Sequence, residues 1–185
     1  MFKIYKKVRE SHPGRWIGLN CLDLMPLQFF SIEFPNDIAG LWDYNIELNE
    51  NSDKQIYAQK VVDNIKDIGW DGLYFGGVAF KYQEKVEDIE KMTKIASKHT
   101  DVITTSGLAT GISADLDKIS LMGKIAHQQN SHLAVASGIN PNNVGNYPDA
   151  DCFLVATGIS RDFYNFDPHK LELLISKIKE MNQNP

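Results

Sequence analysis

Cysteine is scarce in this chain. Among 185 residues there are only Cys21 and Cys152, far apart in sequence. One disulfide can join them, but their number favours two buried thiols in a reducing cytosol. No Cys/His metal pattern and no Ser–His–Asp order is present, and the five histidines are scattered. No apolar run approaches the ~20 residues of a membrane span. The start, MFKIYKKVRE, is amphipathic and basic, without the apolar core and small-residue cleavage site of a signal peptide. A cytoplasmic protein with no membrane span is expected. Positive charge is also in deficit: 19 Lys and Arg face 24 Asp and Glu, a formal charge of -5. That field excludes nucleic acid as an expected partner but leaves room for one local anion site. The length falls short of the ~250 residues typical of a complete (β/α)₈ barrel.

What the chain does have is an alternating apolar texture. Short, nearly continuous apolar runs cover 16–22, 39–42, 72–75, 101–104, 132–136 and 151–156. They read as strands covered on both faces. Between them lie helical stripes. Residues 53–67 carry Ile56, Val61 and Ile65; 84–98 carry Val86, Ile89, Met92 and Ile95. Residues 113–129 carry Leu116, Ile119, Met122 and Ile125; 168–181 carry Leu171, Leu174, Ile175 and Ile178. Asp167-Pro168 marks a helix start, and 2–10 predicts a helix before the first strand. Alternating β and α predicts a parallel α/β sheet with right-handed crossovers. No linker or low-complexity stretch divides the chain, so 1–185 reads as a single barrel-type domain, with a frayed tail at 182–185.

In parallel α/β folds ligands bind beyond the carboxyl ends of the strands. Polar residues recur there: Asn20 and Asp23; Asp43 and Asn45; Lys81 and Gln83; Thr104, Thr105 and Ser106; Ser137; Thr157. Each one singly can be an ordinary loop starter or helix cap; their repetition at one end of successive strands points to a site. Ala136-Ser137-Gly138-Ile139-Asn140-Pro141-Asn142-Asn143-Val144 and Ala156-Thr157-Gly158-Ile159-Ser160 are small and Gly-rich, which lets backbone N–H groups approach an anion. Asn140-Pro141 can open a short helix. The loop Thr105-Ser106-Gly107-Leu108-Ala109-Thr110-Gly111 adds hydroxyls, and the following helix can start at Ser113 or Asp115. Gly76-Gly77-Val78-Ala79-Phe80 delivers a lone Lys81. Pointed into an apolar mouth, Lys81 can serve as base or Schiff-base nucleophile; kept charged, it can clamp a phosphate or carboxylate. Asp43 is the candidate second acid/base. Asp23 and Asp43 with Asn20, Asn45 and Glu47 offer hard oxygens for Mg²⁺, but their spacing is not diagnostic, and neither a metal nor a cofactor is expected.

Together, Trp16-Ile17-Gly18-Leu19-Asn20, Gly76 to Lys81, the Thr105 to Gly111 loop, Ala136 to Val144 and Val155-Ala156-Thr157-Gly158 resemble the BtpA-like family of phosphate-binding barrels. The likeness runs in order from Trp16 to Ser160. It implies a (β/α) barrel and a phosphate-type ligand, and it settles no reaction. By position it carries over Asn20, Lys81, Ser106, Gly107, Thr110, Gly111, Ser137, Gly138, Asn143 and Gly158. Ala156-Thr157-Gly158 stands where the family has Val-Gly-Thr. The family's first two β-α units have no counterpart here, so the resemblance implies an incomplete TIM-type barrel of about six strands, with a homo-oligomer as one way to cover the open edge.

Two functional readings follow. One is an isomerase, lyase or transferase on a sugar phosphate, with Lys81 and Asp43 catalytic. Its ligand is held by Asn20, Thr105, Ser106, Gly107, Thr110, Gly111, Ser137, Gly138, Asn143, Thr157 and Gly158. The other is a non-catalytic assembly or scaffold protein on a degenerate barrel.

Overall fold

The computed structural model describes residues 1–20, 24–31 and 34–183. Its strands are β1 (Gly18–Asn20), β2 (Gly40–Asp43), β3 (Leu73–Gly77), β4 (Val102–Thr105), β5 (His132–Ala136) and β6 (Cys152–Leu154). The helices are α1 (Phe2–Ser11), α2 (Pro26–Phe30), α3 (Ser52–Asp67), α4 (Ile89–Ala96), α5 (Leu116–Gln128) and α6 (Pro168–Gln183). All five strand pairings are parallel, and the strands follow one another in chain order. An order that never reverses has no topological switch point, which separates this sheet from a doubly wound one and matches barrel winding. The architecture is α/β: six parallel strands with flanking helices, forming part of a (β/α) barrel.

Alternation along the strands separates two apolar layers. Leu41, Tyr74, Ile103, Leu133 and Val135 join the large core with Val61, Met92, Ile119, Met122 and Leu174 of the helices. Trp42, Phe75, Val102, Ala134 and Cys152 form a smaller cluster of their own. The central strands β3, β4 and β5 are therefore buried along most of their length, as their continuous apolar runs require. Under β2 and β3, the rings of Phe29, Phe30, Phe34, Trp70 and Tyr74 pack mainly edge-on or tilted, and Trp70 Nε1 donates to the buried carbonyl of Ile38 at 2.8 Å.

Side-chain caps set where the helices begin. Asn51 accepts from Asp53 N, Asp88 from Lys91 N and Asp115 from Lys118 N; Asp167 accepts from His169 N and Lys170 N. These caps correct one expected boundary and decide another. The stripe over 84–98 becomes helix only after Asp88, and of the two starts expected near 113 it is Asp115 that caps the next helix, because each aspartate satisfies amide donors of the first turn. Asn140-Pro141 opens a turn, and a short 3₁₀ segment follows at Val144–Asn146. The tail is ordered helix as far as Gln183. Helix α2, within a stretch without a helical stripe, begins at Pro26, where Met25 N donates to Gln28 Oε1 at 3.0 Å. Cys21 and Leu22, read as the end of the first strand, lie outside the described residues. No helix among the described residues is long and apolar enough to cross a membrane.

Two aspartates pin neighbouring strands. Asp101, just before β4, accepts Tyr74 N of β3 at 2.8 Å, and Asp151, just before β6, accepts Leu133 N of β5 at 2.8 Å. Each engages a backbone donor near the start of the preceding strand. Asp101→Ala should lower stability by about 1–2 kcal/mol, the cost of leaving a partly buried amide without its charged acceptor. Urea unfolding measures this; an unchanged midpoint and slope would remove the pinning role.

Candidate functional site

A cavity of about 380 Å³ opens at the carboxyl ends of the strands. Residues from the first strand (Gly18, Leu19, Asn20) and from the last and its following turn (Leu154, Val155, Ala156, Thr157) line it together. The sheet therefore curls until its two edges face one space. Trp16, Trp42, Phe75, Phe80 and Ile139 make most of the wall, while Asn20, Lys81, Thr110, Ser137 and Thr157 bring polar atoms. Such a lining, mostly apolar with a few convergent polar groups, is typical of a small-molecule site.

Lys81 is the only charged side chain on this wall among the described residues. Its Nζ donates to Thr110 Oγ1 at 2.9 Å and lies 5.7 Å from the ring centre of Phe80. The backbone N of Lys81 donates to Ser106 Oγ at 2.8 Å. Before it, Ala79 holds φ +48. That turn is locked from two sides, since the Ala79 carbonyl accepts Thr105 Oγ1 at 3.1 Å and Lys118 Nζ at 2.6 Å.

On the far side, Ser137 and Gly138 have φ of +96 and +71. A serine in that region carries strain of roughly 1–3 kcal/mol, and such strain collects at functional sites. Ser137 Oγ donates to Ala109 O (2.9 Å) and accepts Gly111 N (3.2 Å), so the β5 loop grips the β4 loop. A Cβ at Gly138 would meet the backbone of Ile112, and one at Gly158 would run into the carbonyl oxygen of Ile139. Glycine at these two positions lets three loops close around the mouth.

The residues expected from sequence divide into those on the wall and those behind it. Asn20, Lys81, Thr110, Ser137, Gly138 and Thr157 line the cavity. Thr105, Ser106, Gly107, Gly111, Asn143 and Gly158 do not; they brace the loops that form it. Asn143 Nδ2 donates to Gly138 O (2.7 Å) and Ser113 Oγ (3.0 Å), while its Oδ1 accepts Asn140 N (2.8 Å). Asp43 lies elsewhere. It is 5% exposed and lines a crevice with Pro26, Phe29, Phe30 and Tyr74, on the helix side of the sheet. Its Oδ1 accepts Asn45 N at 2.9 Å, and its Oδ2 is buried without a partner among the described residues. Burial is the main cause that pushes its carboxyl up to about 7, and the charge of Glu47 adds to it. Lys81 and Asp43 are thus not brought together on one wall. Of the hard-oxygen set, Asn45 and Glu47 bond each other and Glu47 pairs with Lys54; Asp23 lies outside the described residues.

Two contributors escaped the sequence reading. Trp16 passed for strand core, yet it lines the cavity. Lys118 lies between the apolar positions of the 113–129 stripe, yet its Nζ also reaches Ser106 O at 3.0 Å and so ties the β3 and β4 loops together. Burial pushes its ammonium down to about 8. A cation in the first turn opposes the helix dipole, which is the one local sign that this lysine has another task.

No family profile matches the chain, and no curated protein matches it in sequence. Among solved structures, it is similar to a phosphoribosyl anthranilate isomerase from Thermus thermophilus, with 9% identity and a TM-score of 0.43 over 96% of this chain and 94% of that one. A likeness so slight carries no inference about chemistry.

Asp43 gives a pH signature with a definite sign. Its carboxyl moves from 3.8 when unfolded to about 7 when folded. Between those values the folded chain holds a proton that the unfolded chain has lost. The contribution is therefore fully present below pH 3.8 and is lost as pH rises toward about 7. Asp43→Asn should gain stability relative to the parent as pH rises across that window, read from paired denaturant curves. A constant difference between the two proteins would contradict the burial of a titrating carboxyl.

Proposed function

We propose that the chain binds a small phosphorylated metabolite in this cavity, with its anionic group at Lys81, Thr110, Ser137 and Thr157. The observation that carries the reading is Lys81 itself, the one charged side chain on a largely apolar wall among the described residues. An ammonium that donates to a neighbouring hydroxyl is already engaged as a donor, the arrangement of an electrostatic grip. The low dielectric of the aromatic wall strengthens that charge toward an anion. An isomerase, lyase or transferase built on this site would use Lys81 to stabilise negative charge as it develops.

A second reading, a barrel-type scaffold without catalysis, draws on one observation. The hydroxyls and amide of Thr105, Ser106, Ser137 and Asn143 are all engaged in bracing loops. Both readings allow binding; only the first predicts turnover.

Lys81→Met tests the grip. Loss of a charge-assisted contact costs about 1.5–3 kcal/mol, or about 10- to 100-fold in affinity. Calorimetric titration with inorganic phosphate and a panel of sugar phosphates should show that loss while the fold is retained. Parent-like affinity in the variant would remove Lys81 from the site. Turnover of a panel member by the parent protein, abolished in Lys81→Met, would decide for the enzyme over the scaffold.

A further inference from the structure

Resting on the phosphate reading, we infer that the ligand's body is a planar aromatic or heteroaromatic ring stacked on the indole of Trp16. Gly18 of β1 and Gly40 of β2 are register partners in adjacent strands. Neither has a side chain, so together they leave a flat step on the sheet. The Trp16 indole packs against that step. A Cβ added at Gly18 would come within 2.8 Å of the indole, and one at Gly40 within 2.5 Å. Phe75 of β3 packs against the same indole, with centroids 6.1 Å apart and planes at 69°. Strand backbone and the Phe75 ring thus hem the six-membered ring of the indole on two sides.

The rest of the indole is open. Trp16 remains 58% exposed although it lines the cavity. It also borders a groove with Ala39, Gly72 and Leu73 at the amino ends of β2 and β3, which places it at the cavity floor, opposite the mouth where Lys81 stands. An exposed indole that lines a cavity offers a stacking surface, because a planar ring gains both area burial and quadrupole complementarity there. The depth agrees. From Gly40 to Asp43 the strand rises ~10 Å at ~3.3 Å per residue, room for one ring system joined to a phosphate.

The test compares three probes on the full chain: inorganic phosphate, cyclohexyl phosphate and phenyl phosphate. The two organic esters are similar in size and apolar character and differ in planarity. Stacking predicts that phenyl phosphate binds about tenfold tighter than cyclohexyl phosphate. Trp16→Leu should bring the two to equal affinity, and Lys81→Met should weaken all three. An NMR titration of the parent protein guards against a variant that fails to fold, since phenyl phosphate should shift the Trp16 indole N–H resonance and cyclohexyl phosphate should shift it less. Equal affinity of the two esters, a preference that survives in Trp16→Leu, or an unmoved Trp16 resonance overturns the stacking and leaves the phosphate reading intact. Absence of binding by all three probes overturns both.

Discussion

Parallel pairing in unbroken chain order is the constraint from which the rest follows. Each β-to-β step must cross over with the same hand, so every strand presents its carboxyl end on the same side. The right-handed twist accumulates from strand to strand, and with sequential order it curls the sheet instead of propagating it as a flat ribbon. Six strands suffice to turn Asn20 and Thr157, at opposite ends of the sheet, toward one cavity. The site is therefore a property of the winding before it is a property of any residue.

Loop interlocking then converts that geometry into a defined mouth. The carbonyl of Ala79 accepts from both Thr105 and Lys118, Ser106 receives Lys81 N, and Ser137 bridges to both Ala109 and Gly111. These contacts spend polar groups on holding backbone in place, including the left-handed Ala79 and Ser137. What remains for a ligand is small: one ammonium, a few hydroxyls and amides, and aromatic faces. Such economy suits a ligand with one strongly charged group and an apolar body.

Much of the fold was legible because buried parallel strands and amphipathic helices leave different apolar periods. The stripes of Leu116 to Ile125 and Leu171 to Ile178 each became helix. The weaker point was the start of α4, where Asp88 decides and apolar spacing does not; at α5 the cap Asp115 is one of the two starts the sequence offered. The site was legible only in outline. Polar residues at strand ends do gather at the mouth, but sequence order cannot tell a hydroxyl that faces a cavity, as at Thr110, from one turned to a neighbouring carbonyl, as at Thr105. Asp43 shows the same limit: one residue further along a strand faces the opposite side of the sheet, and Asp43 follows Trp42, which lines the cavity. Trp16 was hidden for another reason. Its role depends on two glycines that are more than twenty positions apart in sequence and become neighbours only through β1–β2 register.

The most direct test of the account is a crystal of the chain grown with phenyl phosphate. The account predicts phosphate density within hydrogen-bond reach of Lys81 Nζ and Thr110 Oγ1, with the ring lying over the Trp16 indole. A cavity without the ligand, or a phosphate bound away from Lys81, would contradict it.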